Sequence, residues 1–290
     1  MKPNNINVVV RLFQAGVGEN GNIFDLNLYK EKVETPLEKM LSSGKNFIGA
    51  MYISINAEAG NTLAEHIGAD NKTPTGRAIE ESFPKEIKSG KIVIHYCFKW
   101  GNNAGSATAI NDIINIIEEC NCKYLVIWSP EFDLDGEKIK KGIDFAEKND
   151  LSIVGYKRPN PTNLTQYMVP QNTGALYLFS DLIRYTEGFS PRCNGTGMKI
   201  LIEGLGEVAV AGADHFHTLL TSMKNNPNFK WGMLEKEVNL DKDFKGERLL
   251  LQVRRESRQL AVMKIWAKEI YPDKSFKDVM KLVFSCEIKE

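Results

Sequence analysis

Several features that would announce a function are scarce or missing in this sequence. Its 37 Lys and Arg residues equal its 37 Asp and Glu residues, so no net field draws the chain to nucleic acid or to an anionic surface. No apolar run approaches the length of a bilayer span. The opening stretch MKPNNINVVVRLF has too short an apolar core for a secretory leader. The five cysteines, Cys97, Cys120, Cys122, Cys193 and Cys286, are odd in number and scattered, and Cys120 and Cys122 are too close for a C-x-x-C clamp. They read as reduced thiols of a cytoplasmic protein. There is no internal repeat and no low-complexity tract. What is present is an apolar fraction of 42% in 290 residues, ordinary for a globular chain and enough for one large domain or a domain with an extension.

The first half alternates buried-strand runs with helical patterns. Ile6–Phe13 is a continuous β-branched run, Phe47–Ile55 and Lys91–Phe98 are further strands, and Leu28–Ser43 reads as a helix with Leu37, Met40 and Leu41 on its apolar stripe. Another helix is expected around Arg77–Ser82. Successive βα units predict an α/β fold with a largely parallel sheet flanked by helices. Gly16, Gly18 and Gly21 fit G-x-G-x-x-G after the first strand. A dinucleotide fingerprint needs a helix opening within the glycines, and Asn22-Ile23-Phe24-Asp25 follows instead, so this stretch reads as a loop.

The chemistry concentrates in residues 101–135. Ile110, Ile113, Ile114 and Ile117 recur at helical spacing, with Asp112, Asn115, Glu118 and Glu119 opposite. Tyr124–Trp128 is a short apolar run, as for a strand buried on both faces. The composition then flips to Pro130, Glu131, Asp133 and Asp135. Acidic oxygens at the carboxyl end of a buried parallel strand lie where such sheets bind ligands, and they suit a hard divalent cation.

This stretch resembles the core of inverting, family-2-type glycosyltransferases of the GT-A fold. Their helix start has the form G-K-a-x-A-x-N, and Gly105, Ala107, Ala109 and Asn111 stand in register with it. Ser106 replaces the usual basic residue. Ser129-Pro130-Glu131 stands in the place of D-x-D, with Ser129 replacing the first aspartate. The string NTGALYLFSDLIRYTEGFSP resembles the family's segment of strand, short helix and glycine turn ahead of the catalytic acid, with Gly188 and Phe189 in the turn. Ala213-Asp214 then stands where E-D opens a helix, so the aspartate is kept and the glutamate lost.

The resemblance implies a Rossmann-like GT-A sheet and transfer of a sugar from a nucleotide-sugar donor to an acceptor hydroxyl, with inversion. It makes Asp214 the general base, with simple helix capping as the other role open to that residue. It places Arg11, Phe13, Asn56, Glu58, Asn111 and Ser129 at the donor. It gives Glu131, Asp133 and His217 to a Mn or Mg ion on the diphosphate, with His215 as the alternative histidine. The acceptor, whether glycan, lipid-linked or other, is not identified by these motifs.

The resemblance covers residues 6–220, which predicts a catalytic domain over 1–222 and a C-terminal helical extension over 223–290. In that extension, 247–269 reads as a long helix, with Leu251, Leu260, Val262, Ile265 and Trp266 on a broad apolar face. Arg248, Arg254, Arg255, Arg258, Lys264 and Lys268 make it basic, either as a solvated face or as a cradle for an anionic acceptor, a diphosphate or, peripherally, a membrane surface. The Q-x-x-R-W sequence of processive synthases is absent. Two other classes fit the same pattern: a nucleotidyltransferase with a related sheet, disfavoured because no Lys or Arg lies between Gln14 and Gly21, and a non-catalytic nucleotide-sugar-binding module.

Overall fold

The computed structural model describes residues 6–13, 24–56, 72–97, 113–117, 122–130, 132–156, 169–170, 174–186, 198–202, 206–210, 214–234 and 260–290. The chain divides into two compact units, Met1–Lys140 with Asn194–Thr196, and Lys141–Cys193 with Gly197–Glu290.

In the first unit, strands β1 (Ile6–Phe13), β2 (Ile48–Asn56), β3 (Ile92–Cys97) and β4 (Tyr124–Trp128) are hydrogen-bonded in the order β3-β2-β1-β4, all parallel. Val8, Val9, Val10, Met51, Ile53, Leu125, Val126 and Ile127 are all buried, which is why these strands read as unbroken apolar runs. Parallel neighbours need crossovers. Between β1 and β2 the chain forms α1 (Leu26–Tyr29), a π-helical turn (Lys30–Glu34) and α2 (Thr35–Ser43). Asp25 caps α1 by accepting the N–H groups of Asn27 and Leu28.

The sequence predicted one uninterrupted helix here. The π turn has a local cause: Pro36 has no N–H for the carbonyl one turn back, and the Thr35 N–H reaches instead to the carbonyl of Lys30. Between β2 and β3 lie α3 (Pro74–Ser82), capped by the Thr73 hydroxyl, and α4 (Pro84–Lys88). Residues 113–117, with Ile113, Ile114 and Ile117 buried, form α5. Helix α6 (Gly136–Asn149) follows β4 and runs across the division between the units.

The second unit has β5 (Ile153–Tyr156), β6 (Ala175–Leu178), α7 (Phe179–Thr186), a separate antiparallel pair β7 (Met198–Ile202) and β8 (Gly206–Val210), α8 (Asp214–Asn225) and β9 (Trp231–Leu234). Residues 260–270 form α9, followed by α10 (Phe276–Ser285) and β10 (Glu287–Ile288). The strand order is β10-β9-β5-β6, with β6 antiparallel to β5 and the other pairs parallel. Within 223–290 the structure thus adds β9 and β10 to the helices that the sequence predicted. Gly232 is needed in β9: a Cβ there would sit 2.6 Å from the Phe145 ring and 2.9 Å from the Ile288 carbonyl. The buried Trp231 indole donates to the Val283 carbonyl at 2.9 Å, fastening α10 to this strand.

A polar knot lies in the same unit. Asn226 Nδ2 donates to Asp181 at 3.2 Å, the Ser152 hydroxyl donates to the same carboxylate, and the Asn226 carbonyl oxygen accepts from the Asn228 N–H. Buried Ser152 and Asn226 thereby satisfy each other through Asp181. The α/β class predicted from the sequence is the class observed: mostly parallel strands flanked by helices. No helix among the described residues is long and apolar enough to cross a membrane.

Candidate functional site

The order β3-β2-β1-β4 determines where a ligand fits. The chain winds outward from β1 through β2 to β3, then returns to the other side of β1 to lay down β4. Crossovers on the two sides of β1 therefore go opposite ways, and the carboxyl ends of strands at such a switch point are where open α/β sheets bind ligands. Arg11, Leu12 and Phe13 close β1 at that edge; Phe13 is in register with Asn56, the last residue of β2, and Asn56 with Cys97. Ser129 follows β4 directly. By backbone position, Arg11, Phe13, Asn56 and Ser129 share this one edge. The side chains of Arg11, Phe13 and Asn56, and Glu58, Asn111 and Glu131 altogether, lie outside the described residues.

The loop after β4 is tightly built. The Phe132 N–H donates to the Ser129 carbonyl at 2.9 Å, closing a turn, and the buried Trp128 indole donates to the Phe132 carbonyl at 3.0 Å. Phe132 and Leu134 bury their side chains, and Asp133 between them faces outward. Asp133 is solvent-exposed and bonded to two ammonium groups, Lys39 of α2 at 3.1 Å and Lys138 of α6 at 2.9 Å. Asp135 pairs with Lys39 at 3.2 Å and accepts the Lys138 N–H at 3.0 Å, capping α6.

These contacts set the protonation states. Hydrogen bonds from Lys138 and then Lys39 hold the Asp133 carboxyl below the usual range. Burial pushes Asp135 upward, but the Lys138 N–H and the Lys39 ammonium outweigh it and hold it low as well. The same two carboxylates raise Lys39.

Ser43 fastens the far end of the loop. Its hydroxyl donates to the Lys39 carbonyl and accepts the Gly136 N–H at 2.8 Å. Lys39 and Lys138 were not among the sequence candidates. Lys138 could have been noticed, since it lies in the first turn of a helix that Asp135 opens. Lys39 could not, because 94 residues separate it from Asp133.

In the second unit, Asp214 is the first residue of α8, with its side chain outside the described residues, and His217 lies in the same first turn. His215 is buried. The His217 ring packs edge-on against the Trp266 indole, with centroids 4.6 Å apart. Of the predicted basic helix, 260–270 is described: Val262, Met263, Trp266, Ala267 and Ile270 are buried, while Lys264 and Lys268 are exposed. Among the described residues no group of His, Cys, Asp or Glu side chains could hold a metal ion. The donor set at Asp133 does not fit one either, because two ammonium groups already lie against its oxygens.

No family model matches the chain, and no curated protein does. Among solved structures it is similar to Staphylococcus aureus TarS 1–349, at 10% identity and a TM-score of 0.49, covering 96% of this chain and 69% of that one. The complex of that protein with UDP gives the same values. The complex with UDP-GlcNAc gives 9% identity and a TM-score of 0.46 over 96% of this chain and 70% of that one. A protein from Desulfovibrio desulfuricans G20, provisionally assigned as a nucleotide-diphospho-sugar transferase, is similar at 7% identity and a TM-score of 0.42, over 98% of this chain and 99% of that one. The fold assignment itself rests on the strand order and connections above.

Proposed function

We propose that the chain is a glycosyltransferase that binds a nucleotide-sugar donor at the carboxyl edge of β1 and β4 and passes the sugar to an acceptor hydroxyl. The observation that carries this is the reversal of winding at β1, the switch point where open α/β sheets bind ligands, with the loop after β4 standing in the D-x-D place. Arg11, Phe13, Asn56 and Glu58 are assigned to the nucleotide, and Asn111 and Ser129 to the donor beside it.

Asp214 is assigned as the base. Its carboxylate takes the acceptor proton, the acceptor oxygen attacks the anomeric carbon, and the bond from that carbon to the diphosphate breaks, with the electron pair leaving on the diphosphate. A single displacement of this kind inverts the anomeric centre. A helix N-terminus favours the ionised carboxylate that such a base requires. A divalent cation, when bound, would neutralise charge on the departing diphosphate. Glu131, in the D-x-D place after β4, is the residue that would hold it.

One observation favours a second reading. Asp133 is neutralised by Lys39 and Lys138, and Ser129 stands in the place of an acid, so among the described residues little free negative charge is left there for a cation. That is the pattern of a module that binds a sugar nucleotide without turning it over. Calorimetric titration with UDP-glucose, UDP-GlcNAc and GDP-mannose, with and without Mn²⁺, followed by assay of nucleoside diphosphate release, separates the two. Binding with release supports the transferase, and binding alone supports the module. Glu131→Gln should weaken only the Mn²⁺-dependent part of binding; unchanged affinity removes Glu131 from the site.

A further inference from the structure

The helix that opens with Asp214 is held in its first turn by the C-terminal part of the chain. His217 meets Trp266 of α9 with ring planes at 70° and centroids 4.6 Å apart. Such edge-to-face geometry sets a positive ring edge against a negative face and fixes relative orientation as well as distance. Trp266 is completely buried, with Val262, Met263, Ala267 and Ile270 buried along the same helix. At the other end of α8 the Lys224 ammonium donates to the Ile270 carbonyl at 2.9 Å. Helix α8 is therefore attached to α9 in its first turn and again in its last. The Trp266 Nε1 has no hydrogen-bond partner among the described residues, so ring shape and the edge-on contact hold the indole.

On a helix, residues three or four apart occupy adjoining surface. The indole therefore bears on the turn that carries Asp214, the part of a helix most prone to fray. A base must lie within hydrogen-bond reach of the proton it takes, and misplacement by about 1 Å can cost on the order of 10²-fold in rate.

We propose that Trp266 is a positioning residue for Asp214: it locks the first turn of α8 through His217, which makes the C-terminal helix a working part of the catalytic unit. This rests on the assignment of Asp214 as base. It also gives His217 a role as the strut between the indole and that turn.

The test uses the full chain with Trp266→Phe and Trp266→Leu beside Asp214→Asn. Each is followed by melting temperature, amide exchange across α8, donor affinity, and nucleoside diphosphate release from whichever of UDP-glucose, UDP-GlcNAc and GDP-mannose the wild type consumes. Trp266→Phe keeps an aromatic contact and should retain turnover. Trp266→Leu stays apolar but loses the edge-to-face contact and leaves a cavity, so its melting temperature is read beside its turnover. It should lower kcat by about 2–10-fold, leave donor affinity unchanged, and speed exchange by a similar factor at the amides of Thr218 to Thr221, which bond back to the carbonyls of the first turn. Equal turnover in the Phe and Leu variants, or unchanged exchange in Trp266→Leu, overturns the proposal. Should Asp214→Asn be crippled while Trp266→Leu is not, only the role of Trp266 fails. If Asp214→Asn turns over normally, the base assignment fails whatever Trp266→Leu does.

Discussion

Gly136→Ala sets two physical effects against each other at the end of the acidic loop. Gly136 is the first residue of α6, and alanine is the better helix former by about 1 kcal/mol, so helix propensity alone predicts stabilisation. The packing predicts the reverse. A Cβ at this position would lie 2.4 Å from the Ser43 carbonyl carbon and oxygen and 2.6 Å from the Gly44 nitrogen. All three are main-chain atoms, so no rotamer change relieves the clash and the start of α6 must retreat from α2. Overpacking of this kind costs about 1–3 kcal/mol. Retreat also breaks the 2.8 Å bond from the Gly136 N–H to the Ser43 hydroxyl, worth about 1 kcal/mol more. With helix propensity subtracted, the net expectation is a loss of about 1–3 kcal/mol. Ser43→Ala, which removes the acceptor but adds no bulk, should lose only about 1 kcal/mol. Urea unfolding of the two variants beside the wild type measures this. A Gly136→Ala protein as stable as the wild type, or more so, would refute the close approach of α2 and α6 on which the loop is built.

Other outcomes follow from single sites. Asp150 holds a left-handed backbone, φ 54°, just past α6, while the Leu151 N–H bonds back to the Ala146 carbonyl. That is the position where glycine ends helices most comfortably, so Asp150→Gly should stabilise by about 0.5–1 kcal/mol in thermal unfolding, and a loss would contradict the geometry. The Tyr156 hydroxyl is buried without a hydrogen-bond partner among the described residues, and burial pushes its pKa up. Tyr156→Phe should therefore be neutral or stabilising by about 1 kcal/mol. It should also soften the cost of Gly142→Ala, whose Cβ would fall 2.1 Å from that hydroxyl; a double-mutant cycle with no coupling would sink this pairing.

The ion pairs at Asp133 predict a pH window. Its lowered pKa gives stability present above the unfolded value of about 4 and lost as pH falls through the folded one, while the raised pKa of Lys39 gives stability lost only above about pH 10.4. Asp133 is 66% exposed, so Asp133→Asn should cost no more than about 1 kcal/mol, constant from about pH 5 to 9 and fading below about pH 4. A cost that varied across neutral pH would mean another group titrates with it.

The elements that could be read from the sequence are those whose burial writes a pattern along the chain. Strand β4 is buried throughout and was bounded correctly as Tyr124–Trp128. The predicted ends of β2 and β3 differ from the observed ones by a residue or so, as pairing at strand ends depends on the neighbour rather than on composition. Strand β9 escaped because WGML is short, carries a glycine and follows Pro227 and Asn228; its reason for being a strand is the neighbour β5 on one side and β10 on the other. The pair β7–β8 escaped in a stretch read only for its helix start.

The elements of the candidate site were legible in the same uneven way. Motif spacing located the loop after β4 and the helix opening at Asp214. It did not show that Asp133 is held by a lysine from α2, or that His217 faces an indole from α9, because both partners come from far along the chain. Side-chain partnership across a fold leaves no periodicity to detect.

The central claim, that the chain transfers sugar with Asp214 as its base, is tested most directly by turnover of Asp214→Asn measured beside its melting temperature. Asparagine caps a helix about as well as aspartate, so the substitution separates capping from catalysis. If Asp214 is the base, melting temperature and donor affinity stay unchanged and sugar transfer falls by about 10²–10⁴-fold. Near-wild-type transfer in the folded variant would contradict it.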